Sequence, residues 1–345
     1  MTGRPSLLAL RALGLGDLLT GIPALRALRR AYPHHRIVLA APQQLAPIVE
    51  RIGAVDVLLP TAGLGQLRWS TNTPEIAVNL HGSGPQSIAD LVALQPHRLI
   101  THAHKAFPGI PGLRWDRHVH EVDRWCRLLE YAGVHADRRD LYLPPPSPSP
   151  SPSPSPSRAC FSTARGGKTR TGDGGTPVLI HPGAASPARR WPAQRFAAVA
   201  AHVHRRGFTV RITGSAAERG LALDIARSAG LDDSAVLAGH QGLAEFATTV
   251  ATARLLVCGD TGAGHLATAY RTPSVLLFGP TPPRLWGPPP TPRHAVLWAG
   301  DVGDPHATQP HSGLLLLTVA HVIAVVESQL ERYPMQSSQE FRSVG

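Results

Sequence analysis

The segment Pro144 to Ser157 reads PPPSPSPSPSPSPS and cannot belong to a packed core. Its prolines lack backbone N–H groups and favour extended polyproline II, so at roughly 3.1 Å per residue it acts as a spacer of about 40 Å. The polar, Gly-rich stretch up to Thr176 prolongs it. The 345-residue chain is thereby divided into two halves of similar length, each of ordinary domain size. The organisation read from the sequence is a first domain over 1–143, a linker over 144–176, a second domain over 177–317, a last helix over 318–333 and a disordered tail over 334–345.

Both halves alternate short apolar runs with helical periodicity, which predicts α/β domains built on parallel sheets. In the first half the expected strands are Ser6–Arg11, Arg36–Ala40, Val55–Leu59, Glu75–Leu80 and Arg98–Thr101. The expected helices are Leu18–Ala31, Gln44–Ile52 and Val119–Ala132. In the second half the strands are Pro177–Ile180, Phe208–Thr213, Ala235–Leu237, Arg254–Cys258 and Pro273–Phe278. Its helices are Pro192–Arg206, Glu218–Ala229, Leu243–Ala253, Gly262–Tyr270 and Thr318–Arg332. Gly279–Pro292 is proline-dense and reads as an irregular loop.

Composition removes several classes. No apolar run approaches the ~18 residues of a membrane span, and Arg11 and Asp17 interrupt the only N-terminal stretch resembling a secretory signal. The expectation is a soluble, cytoplasmic chain. Cys126, Cys160 and Cys258 have unrelated spacings and imply neither a disulfide framework nor a zinc site. The histidine pairs His102/His104 and His118/His120 lack a third ligand, so no metal site is expected. Net charge is +11, carried almost wholly by arginine. That suits a phosphate-bearing partner or an anionic membrane surface, or reflects composition alone. Aromatic–basic interleaving and zinc-finger spacing are absent, so no nucleic-acid partner is expected. The sequence also lacks the P-loop, GxGxxG and GxSxG patterns.

Four turns carry candidate chemistry. In Cys258-Gly-Asp-Thr-Gly-Ala-Gly-His265 a strand runs into a Gly-rich turn and a helix. Backbone N–H groups at such a helix start attract a diphosphate, with Thr261 adding a hydroxyl; alternatively Asp260 and Thr261 only cap the helix. His265 by itself reads as a packed or capping histidine. Asp17, in Leu13-Gly-Leu-Gly-Asp17, is either a helix cap or a general base at the floor of a cleft. Arg189 and Arg190 either neutralise a leaving diphosphate or form a solvated pair. Glu218 either holds ribose hydroxyls or is a first-turn acid.

Taken together, these residues resemble the heptosyltransferase-like family of glycosyltransferases, typified by ADP-heptose:lipopolysaccharide heptosyltransferase. The resemblance covers nearly the whole chain except the linker. It is carried by Leu15–Leu25 (LGDLLTGIPAL), His181-Pro-Gly183, Arg189-Arg-Trp-Pro192, and Thr213-Gly214 with Glu218. Asp260–Ala267 (DTGAGHLA), Leu277–Thr281 (LFGPT) and Trp286-Gly-Pro288 carry it further. It implies the GT-B architecture: two Rossmann-like parallel-sheet domains facing a cleft, with the C-terminal helix crossing back to the first domain. The first domain would take a glycan or glycolipid acceptor, and the second a nucleotide-diphosphate-sugar donor, ADP-heptose by resemblance. Asp17 would be the catalytic base. Arg189 stands where the family usually has lysine and, with Glu218, Asp260, Thr261, Gly262 and His265, would bind the donor. Gly183, Arg190 and Gly214 are further donor-site candidates.

The implied reaction is inverting sugar transfer without metal or other cofactor, for cell-envelope glycan synthesis such as lipopolysaccharide, with peripheral contact at the inner membrane face. Two other readings share the donor site. One is a nucleotide-sugar epimerase or hydrolase of the same fold, and the other a non-catalytic nucleotide-sugar or glycan-binding protein.

Overall fold

The computed structural model describes residues 4–70, 72–146 and 175–334. Most of the proline–serine linker and the tail after Pro334 lie outside these residues.

The first half holds strands β1 (Ser6–Leu10), β2 (Arg36–Ala41), β3 (Val57–Pro60), β4 (Ile76–Asn79) and β5 (Arg98–Ile100). Its helices are α1 (Leu15–Thr20), α2 (Ile22–Ala31), α3 (Ala46–Ile52), α4 (Pro85–Val92) and α5 (Glu121–Tyr131). All strand pairs are parallel, in the order β3-β2-β1-β4-β5. The second half holds β6 (Val178–His181), β7 (Val210–Ile212), β8 (Leu255–Gly259), β9 (Ser274–Phe278) and β10 (His294–Trp298). Its helices are α6 (Ala193–Arg205), α7 (Arg219–Ser228), α8 (Leu243–Ala251), α9 (Gly262–Tyr270), α10 (Pro283–Trp286), α11 (Ser312–Leu316) and α12 (Val319–Arg332). This sheet is also parallel, ordered β10-β9-β8-β6-β7. The strands are nearly continuous apolar runs because helices cover both faces.

Strand order reverses between β1 and β4 in the first sheet and between β6 and β8 in the second. Parallel sheets leave a crevice for ligands at such points, beyond the strands' C-terminal ends. The first turn of α1, directly after β1, carries Asp17. The loops after β6 and β8 carry Arg189 and Asp260–Gly262.

Several elements differ from expectation. The helix expected over Leu18–Ala31 is two helices, with Gly21 between them. A Cβ at Gly21 would lie 3.1 Å from the Arg11 side chain, so the break belongs to the path of that arginine. Pro23 falls in the first turn of α2, where its missing N–H costs no helical bond. The expected strand Ala235–Leu237 is a 3-10 turn over Asp233–Ala235 with a single bridge from Val236 to Ile212. The expected loop Gly279–Pro292 contains α10. Helices α4 and α11 and strand β10 were not expected.

The two halves share a continuous apolar core. Leu18, Ile22, Ile48 and Leu129 of the first half cluster with Val250, Cys258, Leu266 and Phe278 of the second. Just before the linker, Leu143 N–H donates to Ala269 O at 2.8 Å and Arg271 stacks over Tyr142 at 3.8 Å. Helix α12, the helix expected to cross back, buries Val322, Val326 and Leu330 in the second half's own core. Its apolar stripe finds its partner surface on α6 and β9 of the second sheet.

Candidate active site

Helix α1 starts immediately after the Gly14 turn because the glycine adopts an extended conformation and its N–H donates to Asp17 Oδ2 at 3.2 Å. The carboxylate thus closes its own helix start while lining a cleft. Burial pushes the Asp17 carboxyl above its ordinary range, and the nearby Arg11 cation opposes that rise.

Opposite lies the turn from β8 into α9. Thr261 precedes the helix in extended conformation, so the N–H groups at the helix start face outward with the positive end of its dipole. Thr261 Oγ1 is buried without a hydrogen-bond partner among the described residues, and so is Arg189 Nε. Buried polar groups are seldom left unmet, and these two lie in one wall of the same cleft. Asp260 is buried beside Arg189; burial raises its carboxyl to about 6, against the pull of the guanidinium.

The cleft measures about 560 Å³ and is lined by Leu13–Asp17 from the first half and by Arg189, Asp260–Gly262, His265, Thr281, Trp286 and His306 from the second. Asp17, Arg189, Asp260, Thr261, Gly262 and His265, named from the sequence, therefore meet in one place. A larger cavity of about 710 Å³ lies along β5 and Tyr131, remote from these groups. The smaller one is the candidate because it alone joins an acid, a cation and a helix start.

Glycine makes the close approach of the two walls feasible. A Cβ at Gly16 would stand 2.9 Å from His265 Cδ2, and one at Gly262 would stand 3.1 Å from Leu15 Cβ. His265 is wedged against Gly16 and edge-on to Trp286 at 5.9 Å, and burial lowers its imidazole to about 4. It is a neutral ring packed at the joint between the halves, with its edge in the cleft.

Gly183, Arg190, Gly214 and Glu218 form a separate cluster at the ends of β6 and β7. A side chain at Gly183 would overlap the Glu218 carboxylate, and one at Gly214 would lie 3.2 Å from Glu218 Cβ. Glu218 Oε2 accepts from Ser215 N–H at 2.8 Å and from Ser215 Oγ at 2.9 Å. Burial works against its charge, but Ser215, His181 and Arg190 hold the carboxyl below its ordinary range. Arg190 Nε donates to Ala184 O at 2.9 Å.

Sequence reasoning assigned no role to Arg11 or His306. Arg11 is a lone charge ending an all-apolar strand just before the Gly-Asp turn, a signal that was available. His306 comes from an irregular loop whose path depends on the Ala188 N–H···Ala307 O and Ser186 Oγ–H···Ala307 O bonds, at 3.2 and 3.1 Å. Local pattern carries no trace of those contacts.

Comparison with known proteins follows the same lines. A family model described as glycosyltransferase family 9 (heptosyltransferase) matches residues 112–311. Lipopolysaccharide heptosyltransferase 1 of Pseudomonas aeruginosa is 42% identical over 117 residues, 33% of this chain and 32% of that protein. Lipopolysaccharide heptosyltransferase 3 of Escherichia coli K12 is 24% identical over 295 residues, covering 83% of this chain and 86% of that one. The structure of the E. coli heptosyltransferase WaaC with ADP superposes with a TM-score of 0.65 at 17% identity, over 94% of this chain and 99% of that chain. The shared fold is GT-B.

Proposed function

The chain belongs to glycosyltransferase family 9, the heptosyltransferases, and from that premise we propose that it moves heptose from ADP-heptose to a hydroxyl of a lipopolysaccharide-type glycan, with inversion and with Asp17 as general base. The observation that carries this reading is the single cleft in which Asp17 faces Arg189 and the start of α9. The relatives act on lipopolysaccharide by name, and the WaaC structure contains ADP.

In this mechanism the acceptor hydroxyl docks on the Asp17 side. Its proton passes to the carboxylate as the oxygen attacks the anomeric carbon, in an oxocarbenium-like transition state. The C–O bond to the diphosphate breaks on the opposite face. The charge that develops on the leaving oxygen is met by the Arg189 guanidinium, the Thr261 hydroxyl and the amides at the start of α9. Glu218, beside Gly183 and Gly214, takes the ribose hydroxyls. With a guanidinium and a helix start supplying the positive charge, the transfer proceeds without a divalent metal. The net charge of +11 supports a peripheral encounter with an anionic membrane surface. Among the described residues no helix is long and apolar enough to cross a membrane.

A thermal-shift series with ADP, ADP-heptose, UDP and GDP, paired with ADP release onto a heptose-deficient lipopolysaccharide acceptor, tests the reading. A shift specific to the ADP compounds, and ADP release that persists in EDTA, are expected. A shift with UDP or GDP alone would remove ADP-heptose as donor.

A further inference from the structure

Arg11 is completely buried and touches neither solvent nor the cleft. Its guanidinium is committed to the protein. Nε donates to the Asp17 carbonyl at 2.5 Å, Nη1 to the Leu80 carbonyl, and Nη2 to Thr20 Oγ1 at 3.0 Å. Nη2 also faces Glu121 Oε1 at 3.4 Å, and the guanidinium lies over the Trp125 ring at 4.7 Å. Glu121 is itself held by Arg124 Nε at 3.0 Å and Trp125 Nε1 at 2.9 Å. Arg11 therefore ties α1, the end of β4 and the start of α5 together beneath the Gly14–Asp17 turn. Glycine at position 21 leaves room for its side chain.

Burying a guanidinium is costly even when paired, and apolar residues would often hold such a place at least as well. The network thus calls for a reason other than stability, and one of its bonds ends on the backbone of Asp17. We propose that Arg11 is a positioning residue for Asp17: it fixes the turn from beneath and, in balance with Glu121, sets the charge around it. The inference rests on Asp17 acting as the base.

Other charged and titratable groups near Asp17 sit on every neighbouring element. Arg124 and His120 belong to the α5 region and His81 follows β4. Arg189, Asp260, His265 and His306 come from the second half. Of these, Arg124 is bonded to Glu121 and loses that partner in Glu121→Gln; the others make no hydrogen bond to Arg11 or Glu121 among the described residues. Burial works to protonate Asp17, Arg11 works against it, and Glu121 works with burial. Removing Arg11's charge and removing Glu121's charge must therefore move Asp17 in opposite directions.

The test is a titration of the Asp17 carboxyl by 13C NMR in the full chain, with its signal assigned by loss in Asp17→Asn. Glu121→Gln is expected to lower the midpoint by about one pH unit and Arg11→Met to raise it by a similar amount. Arg11→Lys should stay within a few tenths of wild type. Should Arg11→Met fail to fold, Glu121→Gln and Arg11→Lys still decide the matter. Unmoved midpoints, or movement of both in the same direction, overturn the proposal. In ADP-heptose turnover, Arg11→Lys should lower kcat and leave the donor KM unchanged. Transfer surviving in Asp17→Asn would instead overturn the base assignment, whatever the titrations show.

Discussion

Among the described residues Arg189 and Thr261 each leave a buried polar atom without a partner at the cleft, so a ligand that meets both gains charge-assisted hydrogen bonds at little cost in ordering. Arg189→Ala should weaken ADP binding by about 10- to 100-fold, and Arg189→Lys by less, because the charge survives while the forked geometry is lost. Calorimetric titration with ADP checks both. The Asp260–His265 turn is legible in the sequence because a strand end, a Gly-rich turn and a helix start follow one another without interruption. The lone charge of Arg11 is visible there too, but its role is not, because it lies in Leu80 and Glu121, which only the fold brings to it.

Among the elements, the contact of α1 with α9 decides how closely Asp17 faces the donor wall. Gly16→Ala places a Cβ 2.9 Å from His265 and should cost about 1–3 kcal/mol by overpacking, with transfer reduced as the walls separate. Gly220→Ala in α7 is the control: a Cβ there meets nothing within 4 Å, so the better helix former should add about 0.5–1 kcal/mol. Urea denaturation of the two variants should move in opposite directions. The strands and long helices can be read from apolar pattern because burial and periodicity coincide in them. The break at Gly21 and helix α10 cannot, since one follows a tertiary contact and the other sits in a proline-dense run whose pattern reads as loop.

At the scale of the whole molecule, the continuous core means that the halves behave as one packed body around the cleft. Burial lowers His102, His265 and His294 from 6.5 to about 4. Stability from keeping them neutral is present above about 6.5 and is lost as pH falls toward 4. Asp260, raised from 3.8 to about 6, has the opposite sign: it favours folding at low pH, and that advantage disappears as pH rises through 6. Asp17 is displaced in the same sense. Between pH 6 and 4, unfolding therefore takes up about one to two protons net, a slope of about 2 kcal/mol per pH unit. Denaturant titrations across that range should show stability falling as pH falls; a flat profile would contradict the buried, neutral imidazoles.

The joining of the two halves into one site is tested most directly by Asp17→Asn, measured at once for ADP affinity and for transfer from ADP-heptose. The substitution keeps the shape of the side chain and removes the base from the acceptor wall, while the donor wall at Arg189 and α9 is untouched. Transfer should fall by about 10²–10⁴-fold with ADP affinity within twofold of wild type. Transfer that survives unchanged, or affinity and transfer lost together, would contradict the division of labour across the cleft.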